Sequence, residues 1–175
     1  MRKHIIRLGL IGIWLGGILA VGGCDQTHSA SSAVLAKAVA IESADECHLC
    51  GMIIHHHPGP KGELYESDSP EVRKFCSTRD LLAYALDPER AHRLSAIYVH
   101  DMSKVPWGQP DDDYFIDARQ AYFVAGASQR GAMGPTLASF ASQPMAEAFA
   151  KQYGGELYRF EQLTLELINQ LGSGH

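Results

Sequence analysis

Several things are scarce or missing in this chain, and each gap removes a class of function. No cluster of basic residues appears, and the formal net charge is −5, which argues against nucleic acid as a partner. There is no Ser-centred nucleophile elbow, no HExxH, no phosphate-cradling glycine loop and no paired catalytic carboxylates on one element. No enzyme class is therefore indicated. The apolar run at residues 8–23 (LGLIGIWLGGILAVGG) has 16 residues. That is shorter than the roughly 20 a helix needs to cross a bilayer. Cysteine is sparse, with four residues in all: Cys24, Cys47, Cys50 and Cys76. An apolar content of 46% and an aromatic content of 9% are ordinary for a globular protein.

What is present begins with an address. Arg2, Lys3 and Arg7 precede the apolar run, and small residues end it, as in a secretory signal. The end of that run, Val21-Gly22-Gly23-Cys24, resembles the lipobox of bacterial lipoproteins, in which the cysteine becomes the acylated first residue. Asp25 resembles the signal that retains such proteins at the inner membrane. The expected organisation is a signal over residues 1–23, a lipid-anchored flexible tether over 24–43, and one folded domain over 44–175. Three cysteines remain in that domain. An odd number in an oxidising compartment leaves at least one thiol free or holding something.

Alternating and turn-bounded segments predict strands at 61–67 and 71–77, around Asp68-Ser69-Pro70. Ser77 or Thr78 caps a helix that Pro88 ends, and residues 94–101 form a strand. Residues 114–126 read as two short strands or one bent hairpin. A helix from Pro144 to Tyr153 stops at Gly154-Gly155, a strand occupies 156–160, and a short helix follows. The order strand–strand–helix–strand occurs twice. The expected class is α+β, with two ββαβ halves at about 44–101 and 111–162.

The chemistry concentrates in ECHLCGMIIHHHPGP, residues 46–60. Cys47 and Cys50 have dithiol spacing, but Pro58-Gly59-Pro60 leaves no room for the long helix of a redox dithiol. Structural zinc wants four N or S ligands, and only Cys76 and scattered histidines could complete them. A local Cys47–Cys50 disulfide is the plain alternative. Methionines tilt the reading towards a soft metal: Met52, Met102 and Met133 sit in turns or at strand ends, whereas Met145 lies in a helix. Thioether, thiolate and imidazole together suit Cu(I). His100, at a strand end, is either a ligand or a satisfied core histidine. His55-His56-His57 fits an exposed loop or an auxiliary metal-capturing stretch.

The stretches CHLCGM…HPGPKG, KFCSTRDLLAYALDPE, AIYVHDM, IDARQAYFVAGASQRGAMGPTLASFA and AFAKQYGGELYRF resemble, in order, the NosL family. That resemblance implies a Cu(I)-binding lipoprotein on the periplasmic face of the inner membrane. It would supply copper for the copper–sulfide centre of nitrous-oxide reductase, with the reductase and its maturation proteins as partners. It also implies a fold like that of the bacterial organomercury lyase. Carried over by position, the primary ligands are Cys50 and Met133, with Met52, His100, Met102 and Cys47 as candidates for a third ligand or a transfer route. Lys61-Gly62-Glu63 departs from the family's usual small residue and glutamine, which places a question over partner contacts. Two other functions compete. One is a thiol-dependent enzyme on a lyase-like fold, cleaving organomercurials or reducing disulfides. The other is a metal-independent maturation scaffold.

Overall fold

The computed structural model describes residues 36–110 and 112–173; the apolar leader and Cys24 lie outside the described residues. The first half runs β1 (Gly62–Glu66), β2 (Val72–Phe75), α1 (Thr78–Ala85) and β3 (Leu94–His100). After β4 (Phe115–Asp117) the second half runs β5 (Tyr122–Ala125), a small hairpin of β6 (Arg130–Gly131) and β7 (Gly134–Pro135), β8 (Ala138–Phe140), α2 (Gln143–Tyr153) and β9 (Glu156–Arg159). A last helix, α3, spans Leu165–Gly172. Among the described residues no helix is long and apolar enough to cross a membrane.

The two sheets share one plan. In the first, β1 lies between β2 and β3; in the second, β5 lies between β8 and β9, and all of these pairs are antiparallel. The repeated ββαβ order expected from the sequence is thus a repeated topology. Its boundary differs in one respect: β4 belongs to the stretch expected in the second half, yet it pairs with β3, extending the first sheet (Val99 opposite Ile116). The turn at 118–121 separates two short strands that serve different sheets, so residues 114–126 form no hairpin.

Helix α1 forms where the sequence signals it. Ser77 Oγ accepts from the Asp80 N–H at 3.1 Å, and Leu81, Leu82 and Ala85 on one face are buried. That face lies against β1 closely enough to require a glycine. A Cβ on Gly62 would sit 2.4 Å from Leu81 Cδ2 and 2.9 Å from the Tyr98 carbonyl oxygen. Leu64, Phe75, Ile97, Val99, Phe123 and Ile168 complete this main core. A smaller one, Val124, Ala138, Phe140 and Ala146, lies under α2, where Trp107 stacks on Phe149 at 5.5 Å. Ser139 joins the sheets, donating to the His100 carbonyl at 2.6 Å and accepting, through its own carbonyl, the Met102 N–H at 2.8 Å.

The opposite face of the first sheet is polar: Glu63, Tyr65, Lys74 and Tyr98 share it by register. Residues 36–41 lie across this face as a strap. Tyr98 and Tyr65 hydroxyls donate to the carbonyls of Ala36 (2.8 Å) and Lys37 (2.9 Å). Val39 N–H donates to Glu63 Oε1 at 2.9 Å, Lys74 Nζ to the Ala40 carbonyl at 2.7 Å, and Ile41 N–H to Asp112 Oδ2 at 2.8 Å. Ile41 is part of the main core. The fold therefore starts by Ala36 and not near Ala44, so the tether expected over 24–43 is shortened at its C-terminal end. This strap is held mostly through its own backbone groups, and its small side chains carry no pattern that reveals it. Lys61 and Glu63 are both buried, so the stretch Lys61-Gly62-Glu63 is an interior feature.

Candidate metal centre

The CxxC loop is shaped by its backbone. Cys47 N–H donates to the Met52 carbonyl and Gly51 N–H to the Cys47 carbonyl, both at 2.8 Å, while Glu46 and Ile53 form an antiparallel bridge. Gly51 has φ of +73°, a left-handed conformation that glycine adopts without strain. The His48 N–H, bonded to the Lys74 carbonyl at 2.8 Å, fastens this loop to β2. The His48 ring packs edge-on against Phe75 and Tyr84. Cys47 and Cys50 are thereby directed at the end of β2, where Cys76 immediately precedes the cap of α1.

Four donors converge there. The ligand atoms of Cys47, Cys50, Cys76 and Asp80 all lie within 4.8 Å of one another. Cys50 Sγ is 3.5 Å from Cys76 Sγ; Asp80 Oδ2 is 3.5 Å from Cys76 Sγ and 3.9 Å from Cys47 Sγ. All three cysteines are free thiols; Cys47 and Cys76 are buried, and Cys50 is exposed. Asp80 is buried, one turn from the cysteine it faces, with its Oδ1 accepting from Arg79 Nη2 at 3.3 Å.

Hydrogen bonds and burial move the three thiols apart in acidity. A hydrogen bond from Cys76 holds the Cys47 thiol well below the usual cysteine range, against the opposing effect of burial, with backbone groups of Cys76, Cys50 and Leu49 assisting. Cys76 is pushed up by donating to Cys47, by burial and by the negative charges beside it. Burial raises Cys50. A soft cation displaces thiol protons as it binds at such a cluster.

The residues singled out from the sequence divide into three groups. Cys47 and Cys50 are in the cluster. Met133 is 45% exposed on the β6–β7 turn, and its carbonyl accepts from Arg79 Nη1 at 3.1 Å, which connects that turn to the helix carrying Asp80. Met52 is half-buried on the CxxC loop. His100 is elsewhere and fully buried: its Nδ1 accepts from the Lys61 N–H at 3.2 Å, its Nε2 bonds Asp112 Oδ1 at 2.9 Å, and its ring lies on Phe115. Met102 packs against the smaller core. His55 bonds the Ile41 carbonyl. Sequence reasoning offered Cys76 as one residue that could complete a structural zinc set and did not single out Asp80 as a ligand. The i, i+4 spacing of Cys76 and Asp80 across a helix cap is the one signal that could have joined them.

Comparison with known proteins agrees with this chemistry. The NosL family description matches residues 38–168. A copper-binding lipoprotein NosL of Stutzerimonas stutzeri is 43% identical over 169 residues, covering 95% of this chain and 86% of that one. Its counterpart in Achromobacter cycloclastes is 38% identical over 124 residues, 69% of this chain and 64% of that one. The crystal structure of the copper chaperone NosL from Shewanella denitrificans superposes with a TM-score of 0.72 at 58% identity, covering 73% of this chain and 96% of that one.

Proposed function

Because the chain belongs to the NosL family, we propose that it is a copper carrier that takes up Cu(I) on the sulfurs of Cys47, Cys50 and Cys76, with Asp80 beside them, and gives it up through the exposed side of that site. The observation that carries this reading is the convergence of three sulfurs and one carboxylate within 4.8 Å. Soft thiolates select a soft ion, and Cu(I) is satisfied by two or three of them. Burial of Cys47 and Cys76 shields the ion from water, while Cys50, with Leu49 half exposed beside it, leaves one sulfur for a partner's ligands to displace. Met133 is a candidate thioether on the neighbouring turn. Exposure of that turn suits a ligand that joins and leaves during transfer.

The finer parts of the proposal rest on sequence and kinship. Cys24 would carry the acyl chains that anchor the domain at the periplasmic face of the inner membrane, each buried methylene adding about 0.8 kcal/mol. The recipient would be the nitrous-oxide reductase maturation system. The test is Cu(I) titration of the reduced domain against a competing chelator. One ion per domain is expected, with affinity lowered at least about tenfold in Cys76→Ala, since a buried ligand cannot be replaced by solvent. Unchanged affinity would remove Cys76 from the site. Asp80 beside two thiols is also what the thiol-enzyme alternative would need as an acid. Release of methane from methylmercury by the reduced domain would favour that alternative.

A further inference from the structure

Arg79 is the second residue of α1, its side chain is 13% exposed, and no chemistry at the thiol cluster requires it. Its position is nevertheless specific. One arm of the guanidinium, Nη1, donates to the Met133 carbonyl at 3.1 Å; the other, Nη2, donates to Asp80 Oδ1 at 3.3 Å. The opposite carboxylate oxygen, Oδ2, is left facing the thiols of Cys47 and Cys76. The end of α3 closes over the same group: a Cβ on Gly172 would lie 3.7 Å from Arg79 Nη1. A rigid, permanently charged fork thus joins the metal site's carboxylate to the turn that bears the methionine.

The rest of the β6–β7 hairpin is fixed at its base. Trp107 Nε1 donates to the Arg130 carbonyl at 2.8 Å, and Thr136, just after β7, pairs its hydroxyl with that of Thr78 at 3.0 Å. Neither contact reaches the tip, where Met133 sits. The bond to Arg79 does. Ala132 packs against the main core while Met133 beside it is 45% exposed, so the charge-assisted bond to the Met133 carbonyl adds the polar hold at the exposed side of the tip.

We propose that Arg79 is a positioning residue of the copper site, holding the Met133 turn beside the thiols and orienting the Asp80 carboxylate towards them. This rests on the copper reading above with Met133 as a ligand. Arg79 touches no metal in this scheme; it acts through the two residues it binds. Lysine could keep the charge and one of the two bonds but not the fork.

A double-mutant cycle on the reduced domain tests it, using Arg79→Met, Met133→Leu and both together, with Cu(I) affinity from chelator competition and sulfur ligands counted by X-ray absorption. Arg79→Met is expected to weaken Cu(I) binding by about tenfold, the worth of one charge-assisted hydrogen bond. It should lower the sulfur count by the same step as Met133→Leu. The double variant should bind at most about threefold more weakly than Met133→Leu alone, the share that passes through Asp80, because the rest acts in one chain of contacts. Arg79→Lys, which keeps one bond, should fall between wild type and Arg79→Met and serves as the readout if Arg79→Met does not fold. Unchanged affinity and sulfur count in Arg79→Met, or losses that multiply in the double variant, would overturn the proposal. An unaffected Met133→Leu would instead overturn the assignment of Met133 as a ligand, a separate result.

Discussion

Asp80 divides its two oxygens between unlike neighbours, a guanidinium on one side and two thiols on the other. That division bears on metal choice. Three sulfurs alone satisfy Cu(I), whereas three sulfurs and a carboxylate make a tetrahedral set that Zn(II) accepts. The sequence, with its methionines, leads one to expect weak zinc binding; the fourth donor changes that expectation. Asp80→Asn should therefore lower Zn(II) affinity at least about tenfold while lowering Cu(I) affinity by less than about threefold. Paired titrations with a zinc and a Cu(I) chelator measure both. A larger loss for copper would make Asp80 a copper ligand in its own right. Cys47 and Cys50 were legible from spacing alone. Cys76 was not, because its approach to Cys50 depends on how the loop is fastened to β2, through the backbone bond of His48 to Lys74.

Elements with local punctuation could be read from the sequence. The cap at Ser77 and the stop at Gly154 set α1 and α2 nearly where they are found. The β6–β7 hairpin has two-residue strands and the strap at 36–41 has none, so neither leaves a periodic trace. The strap nonetheless has an energetic signature. Glu63, fully buried, grips Val39 with one oxygen and leaves Oε2 without a partner. Burial pushes its carboxyl up from 4.5 to about 7. The folded state thus keeps the proton to higher pH than the unfolded chain. Its contribution to stability declines as pH rises from about 4.5 through about 7 and is flat above. Glu63→Gln keeps the bond to Val39 and removes the charge. It should be more stable than wild type at pH 8, by on the order of 2 kcal/mol, and indistinguishable from it near pH 4. Denaturant unfolding at the two pH values checks this, and an equal difference at both would show that ionisation plays no part.

At the scale of the whole molecule, the metal cluster belongs to one half. All four donors come from residues 47–80, and under the proposal above the second half would add the Met133 turn. Duplication of the ββαβ plan therefore did not duplicate the chemistry: β8 leads into α2 through Ser142, with no thiol at the corner that Cys76 occupies before α1. The order of strands was legible because each half repeats it. The pairing of β4 with the first sheet was not, since three residues carry too little pattern to name a partner. Anchoring is tested at this scale. Cys24→Ser should move the protein from the membrane to the soluble periplasmic fraction and leave Cu(I) affinity of the domain unchanged; a variant that stays with the membrane would refute acylation at that residue.

The strap also sets a working distance. Eleven residues lie between Cys24 and Ala36, the first of the described residues held to the sheet. Fully extended, such a leash spans at most about 40 Å. A domain acylated at Cys24 would then patrol a thin layer above the bilayer, at an effective concentration set by that length. Any recipient would have to present its own metal ligands inside this layer. A leash reaching to residue 43 would make the layer deeper and encounters rarer, so in an anchored copper carrier the hydrogen bonds on the far face of the sheet from α1 would help decide which proteins the copper can reach.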